Sequence, residues 1–184
     1  MYIRILYLSI EQVTIIDEFY IIGNGKIFNM KANIGLSDVN SQAVGLLLNG
    51  LLADEQVLYH KVRNYHWNVT GTNMIELHKF YEEQYNELAD VIDDTAERIR
   101  KVGHFAMGRM EDYLKLASLL EGESTSERVQ QWTNLLNDHE TLVREIKQKI
   151  STTEGYNDPG TVDFLTSVLK VHEKWAWMIR AYLS

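Results

Sequence analysis

The chain has 184 residues, 45% of them hydrophobic and 24% charged, with a formal net charge of −8; this length suits one domain with a sizeable core. It contains no cysteine, which excludes disulfides, thiolate zinc sites, iron–sulfur clusters and cysteine nucleophiles. The acidic balance disfavours broad attraction to nucleic acid and favours cations as partners, and no stretch reaches the ~20 uninterrupted apolar residues of a membrane span.

Residues 1–29 are rich in Ile and Tyr. They carry only Arg4 as an early positive charge, meet Glu11 soon after, and lack an A-x-A-like cleavage site, so they do not read as a secretory leader. Met30 followed by KANIGLSD reads as an independent protein start. Residues 1–29 are therefore expected to be an extension, as from a misassigned start site, beside a domain spanning 30–184. The expected location is cytoplasmic, with nucleoid association as a variant of it.

From Asp38 onward the pattern is helical, with a single proline, Pro159, and no sustained alternation of the kind strands show. A first helix is expected over about Val39 to Trp67, capped by Ser37 or Asp38 and ended by the polar cluster Asn68–Asn73. A second runs from about Met74 to Lys101, with Gly103 as its C-cap. Within the connector from His104 to Ser124, Met110 to Leu120 suits a short helix. A third long helix should open at Ser124, where Ser124 and Glu127 have capping-box spacing, and reach about Ser151. Asp158-Pro159 then marks the N-cap and first residue of a last helix. The expected fold is all-α: a four-helix bundle with a short extra helix in its one long connection.

The second helix carries His78, Glu82, Asp93 and Glu97 as two pairs four residues apart, so each pair shares a face. With His78 at zero, Glu82, Asp93 and Glu97 fall at about 40°, 60° and 100° round the helix, beside its apolar stripe. A neutral imidazole with carboxylates suits iron or zinc rather than calcium or magnesium; the competing reading is an acidic solvated face. Glu82 and Asp93 are ~16 Å apart along the axis, too far for one ion with ligands at ~2–2.5 Å. Two copies packed antiparallel across a two-fold axis would resolve this, with His78 and Glu82 of one chain facing Asp93 and Glu97 of the other. His66, on the first helix, reads either as a core histidine or as a further ligand brought beside His78 by the short loop. Trp67 reads either as an oxidisable neighbour of that site or as packing. His60, His104, His139 and His172 have no matching partners in the pattern and read as structural or surface residues.

The stretch YHKVRNYHWNVTGTNMIELHKFYEEQYNELADVIDDTAERIRKVG resembles the Dps family, the DNA-protecting mini-ferritins of starved bacterial cells. The HWNVTG block, the LH that follows it and D-x-x-x-E within DDTAERI carry the resemblance, which covers about Asp38 to Ser184. It implies a ferritin-like fold, a dodecameric homo-oligomeric shell and a ferroxidase centre at each dimer interface. His66, His78 and Glu82 would come from one subunit, and Asp93 and Glu97 from its partner; the family often has aspartate where this chain has Glu82. It further implies Fe(II) as the metal, hydrogen peroxide in preference to O2 as oxidant, and ferric mineral stored in the shell. Acidic three-fold pores near the start of the last helix would match Asp158 and Asp163, although Asp158 reads equally as an N-cap. Direct DNA binding is expected to be weak, because members that bind directly use a lysine-rich tail and the segment before Asp38 offers only Arg4, Lys26 and Lys31. A conventional ferritin would need E-x-x-H pairs, which are absent; a structural or nucleoid-binding shell with little ferroxidase activity is the alternative, and a metal sensor is a third reading for which no DNA-reading module is visible.

Overall fold

The computed structural model describes residues 32–184, and the expectation for residues 1–29 lies outside them. Five helices follow in order: α1 (Asp38–Asn68), α2 (Met74–Lys101), α3 (Met110–Leu116), α4 (Arg128–Glu154) and α5 (Pro159–Leu183). The four long ones form a ferritin-like bundle, with α3 inside the α2–α4 connection. None of them is long and apolar enough to cross a membrane.

Each helix forms where its apolar residues recur every three or four positions, which puts them on one face. On α1 these are Val44, Leu48, Leu51, Leu52, Leu58, Val62 and Tyr65, all buried. The most extensive packing joins α1 to α2 and α4 to α5, the two pairs linked by short loops, and α1–α4 and α2–α5 contacts close the bundle. Leu88, Ile99, Leu135, Leu142, Ile146, Leu165 and Ile179 fill its interior with no exposed surface; each such side chain contributes about 1.5–3 kcal/mol by leaving water.

The helix ends show which local signals prevailed. Ser37 Oγ accepts from Asn40 N at 3.2 Å to open α1. Gly103 closes α2 at φ +94°; its N–H donates to Arg100 O while His104 N donates to Ile99 O, the bond pair of a left-handed C-cap that glycine adopts without strain. Asp158 caps α5 by accepting from Thr161 N, with Pro159 at the first helical position.

Two boundaries differ from expectation because side chains of α1 engage groups at those boundaries. The capping box at Ser124 does not form, and α4 opens at Arg128 with no side-chain cap. Ser124 Oγ instead accepts from Asn64 Nδ2 at 3.0 Å, and Thr125 Oγ1 takes the Glu127 N–H. The short helix stops at Leu116 rather than Leu120, since the Asp54 carboxylate accepts from Ser118 N and Leu119 N at 2.6 and 2.9 Å. The last turn of α4 runs to Glu154, slightly beyond the expected end.

Candidate metal centre

His66 lies in the last turn of α1 and His78 in the second turn of α2, on either side of the loop that Val69 anchors in the core. The two imidazoles stack with centroids 3.6 Å apart and planes 23° apart. His66 Nδ1 bonds to His78 O at 2.8 Å, and His78 Nδ1 bonds to His66 O at 2.9 Å. A carbonyl can only accept, so both Nδ1 atoms carry the proton, and the neutral form of each ring has its lone pair on Nε2, where a ligand can bind. The His66 ring is buried, and its Nε2 takes no part in this pair of bonds.

The surroundings hold this pair still. Tyr85 meets the His66 ring edge-on at 5.1 Å. The Arg63 guanidinium lies over the rings of Tyr59, Trp67 and Tyr85 at 5.5, 4.9 and 5.5 Å, a cation–π arrangement. Trp67, Met74 and Ile75 are exposed around the same loop. Large apolar side chains grouped in that way suit coverage by another protein surface.

The carboxylates are placed differently. Glu82 follows His78 by one turn on α2, and Glu82, Asp93 and Glu97 are all exposed. Glu97 makes an ion pair with Lys101 at 2.9 Å. Asp93 and Glu97 lie about three and four turns further along α2 than Glu82, and among the described residues no three His, Asp or Glu side chains gather round one point. The single chain therefore presents two partial donor sets on one helix.

Asp158 and Asp163 separate cleanly. Asp158 is buried; its Oδ1 accepts from Arg98 Nη2 at 2.9 Å as well as from Thr161 N, and Oδ2 bonds Thr161 Oγ1. Its oxygens are committed to the cap and to Arg98. Asp163 is exposed on α5.

The remaining histidines correct the sequence reading on one point. His60 bonds to its own helix through Gln56 O, and His104 to Ser41 Oγ. His139 and His172, however, do have partners, namely each other: their Nδ1 atoms lie 2.9 Å apart at the bundle centre. His172 Nε2 bonds Glu55 Oε1 at 2.7 Å, and His139 Nε2 meets the Gln84 amide. All four side chains have no exposed surface. Burial, and then the neighbouring His172, hold the His139 imidazolium pKa well below its ordinary value.

Comparison with known proteins agrees with this architecture. The model of the ferritin-like domain family matches residues 46–184. A low temperature-induced protein of Nostoc is 40% identical over 83% of this chain and 87% of its own length. The DNA protection during starvation protein of Helicobacter pylori is 37% identical over 75% of this chain and 96% of its own. Among solved structures, a Dps protein of Vibrio cholerae O1, described as a member of a broad superfamily of ferritin-like diiron-carboxylate proteins, superposes with a TM-score of 0.80 at 32% identity. That superposition covers 84% of this chain and 98% of the Vibrio chain.

Proposed function

The chain belongs to the Dps family of ferritin-like proteins, and on that premise we propose that it binds Fe(II), oxidises it and stores the ferric product inside a homo-oligomeric shell. The observation that carries this reading is the reciprocal lock of His66 and His78, whose Nδ1 protons are held by carbonyls while both Nε2 atoms stay available. Imidazole retains Fe(II), and carboxylates favour the Fe(III) that forms, so the mixed donor set suits an ion that changes charge. His66, His78 and Glu82 form one half of the site. Asp93 and Glu97 of a second copy form the other half, because the ~16 Å between Glu82 and Asp93 along one helix rules out a shared ion within a single chain.

A two-fold pair of α2 helices creates two such sites at once, and the exposed Trp67, Met74 and Ile75 fit the buried side of that contact. Hydrogen peroxide is the proposed oxidant: it takes one electron from each of two Fe(II) ions and, with two protons, yields two Fe(III) and two water molecules. Removing Fe(II) and peroxide together suppresses hydroxyl-radical formation, which is how such a shell protects DNA without gripping it. Iron entry through an acidic pore rests on Asp163 alone, since Asp158 is engaged within the subunit. The proposed shell is a dodecamer.

The test is anaerobic Fe(II) oxidation with added peroxide, comparing wild type with His78→Ala and Asp93→Ala. Both variants should lose at least about tenfold in rate, the scale on which disturbed metal ligation acts. Equal rates in all three proteins would overturn the assignment. Sizing chromatography of the wild type reads the shell separately.

A further inference from the structure

The proposed iron centre leaves Arg63 without a role. Tyr59, Arg63 and Trp67 stand four residues apart on α1, so they form one stripe along its surface. Tyr85 of α2 completes the group, meeting Tyr59 edge-on at 6.2 Å and His66 at 5.1 Å. The Arg63 guanidinium lies within 5.5 Å of all three ring centres and nearest to Trp67, at 4.9 Å. Hydrogen bonding does not explain this placement. Among the described residues the guanidinium makes a single hydrogen bond, from Nη1 to Tyr59 Oη at 3.0 Å, and its buried Nε has no partner. A buried N–H left unpaired costs stability, so the ring faces are what hold this side chain.

A cation over an aromatic face is attracted by the electron density of the ring. Removing one electron from that ring turns the attraction into repulsion between two like charges. Each of the three rings is therefore harder to oxidise with Arg63 in place. We propose that Arg63 guards the aromatic rings beside the iron centre, so that peroxide draws its electrons from Fe(II) and not from Trp67, Tyr59 or Tyr85.

The proposal rests on the iron reading for its oxidant. Peroxide takes two electrons, and a half-filled centre offers only one Fe(II). The second electron then has to come from the nearest oxidisable group. Tyr85 touches the His66 ring and Trp67 adjoins His66 in the chain, so these rings are closest to hand. For Trp67 the balance is one Fe(II), one peroxide, one proton and the indole going to one Fe(III), two water molecules and a neutral indolyl radical. The indole gives up an electron and its Nε1 proton in that step. Arg63 touches neither iron nor oxidant; it acts through the rings by making this loss costlier than oxidation of a second Fe(II).

The test compares the assembled wild type with Arg63→Met, Arg63→Gln and Arg63→Lys. Iron-free protein is treated with chlorine dioxide, a neutral one-electron oxidant that leaves as chlorite while the indole loses an electron and a proton. The approach of a neutral oxidant does not depend on the Arg63 charge. Peptide mass spectrometry reads the ratio of oxidised Trp67 to oxidised Trp177. Trp177 is as exposed in the chain as Trp67, at 64% against 63%, and among the described residues no cation lies over it. Arg63→Met and Arg63→Gln should raise the ratio at least about threefold, the scale of an exposed cation–π contact. Arg63→Lys keeps the charge and should stay nearer wild type. An unchanged ratio in the two neutral variants overturns the proposal, as does an Arg63→Lys ratio equal to theirs, which would reduce Arg63 to a steric cover. In a second arm, peroxide is added with limiting Fe(II). Oxidised Trp67, Tyr59 and Tyr85 should be at least about threefold more abundant in Arg63→Met than in wild type, and equal yields at equal rates of iron oxidation overturn the proposal. A wild type that oxidises no iron fails the iron reading instead, and the chlorine dioxide ratio still decides whether Arg63 shields the rings.

Discussion

Two histidine pairs in this molecule use their nitrogens in opposite ways. His66 and His78 spend Nδ1 on each other's backbone carbonyls and keep Nε2 for the outside. His139 and His172 turn Nδ1 toward each other and spend Nε2 on Gln84 and Glu55. The first pair sits at the end of a helical hairpin beside exposed carboxylates; the second has no exposed surface. The contrast teaches that a donor set is read by where its lone pairs go. The proposed outer site needs a second subunit to complete it, whereas the inner string lies wholly within one chain.

The sharpest way to break the comparison is to mix subunits. If the outer site spans two chains, equal mixtures of His78→Ala and Asp93→Ala subunits regain activity that neither has alone. Random pairing makes half of the dimers mixed, each with one intact site, so about a quarter of the wild-type rate should return. Peroxide-driven Fe(II) oxidation measures it, and a mixture as inactive as its components would place the site within a single chain.

A smaller but still large effect separates the pairs by stability. His172→Phe leaves the Glu55 carboxylate buried without its partner and should cost about 3–5 kcal/mol, read from denaturant unfolding. Glu82→Ala, at an exposed position, should change stability by less than about 0.5 kcal/mol while slowing iron oxidation. An equal cost for both would erase the distinction drawn between interior and surface. Asp158→Ala comes next: it removes an N-cap and the partner of Arg98, and should cost about 1–2 kcal/mol.

The smallest expected effect concerns Asp54, which holds the start of the α3–α4 connector. Burial, more than the nearby Glu145, raises its pKa above the ordinary 3.8, against the lowering effect of its bonds to Leu119 and Ser118. A carboxyl whose folded pKa is raised favours the fold below its unfolded pKa and loses that contribution as pH rises through the folded value. Asp54→Asn keeps the accepting Oδ1 and has no proton to lose. It should therefore gain a few tenths of a kcal/mol on wild type between pH 4 and pH 7, and unfolding midpoints across that range measure it. A flat difference would assign the shift to the unfolded chain.

Much of this was legible before any coordinates. The apolar positions of α1, α2, α4 and α5 recur at helical spacing, so their existence followed from the hydrophobic pattern alone. The caps at Ser37, Gly103 and Asp158 were equally readable, because each acts within its own turn. The capping box at Ser124 and the end of α3 were misread for one reason: Asn64 and Asp54, some sixty residues earlier, took over those groups. Local spacing cannot report a competitor brought in by folding.

The candidate sites divide along the same line. The sequence by itself determined that His78, Glu82, Asp93 and Glu97 share one side of a helix and cannot share one ion, because helix rise and turn angle follow from backbone sterics. Only the tertiary structure decided that His66 joins His78 with a defined tautomer, that Asp158 is committed to Arg98, and that Glu55, Gln84, His139 and His172 meet. Those outcomes depend on which helices pack together and at what height along the bundle, and packing is set by the summed burial of every apolar stripe at once. A polar residue in a core position announces itself in the sequence; its partner appears only when the bundle closes.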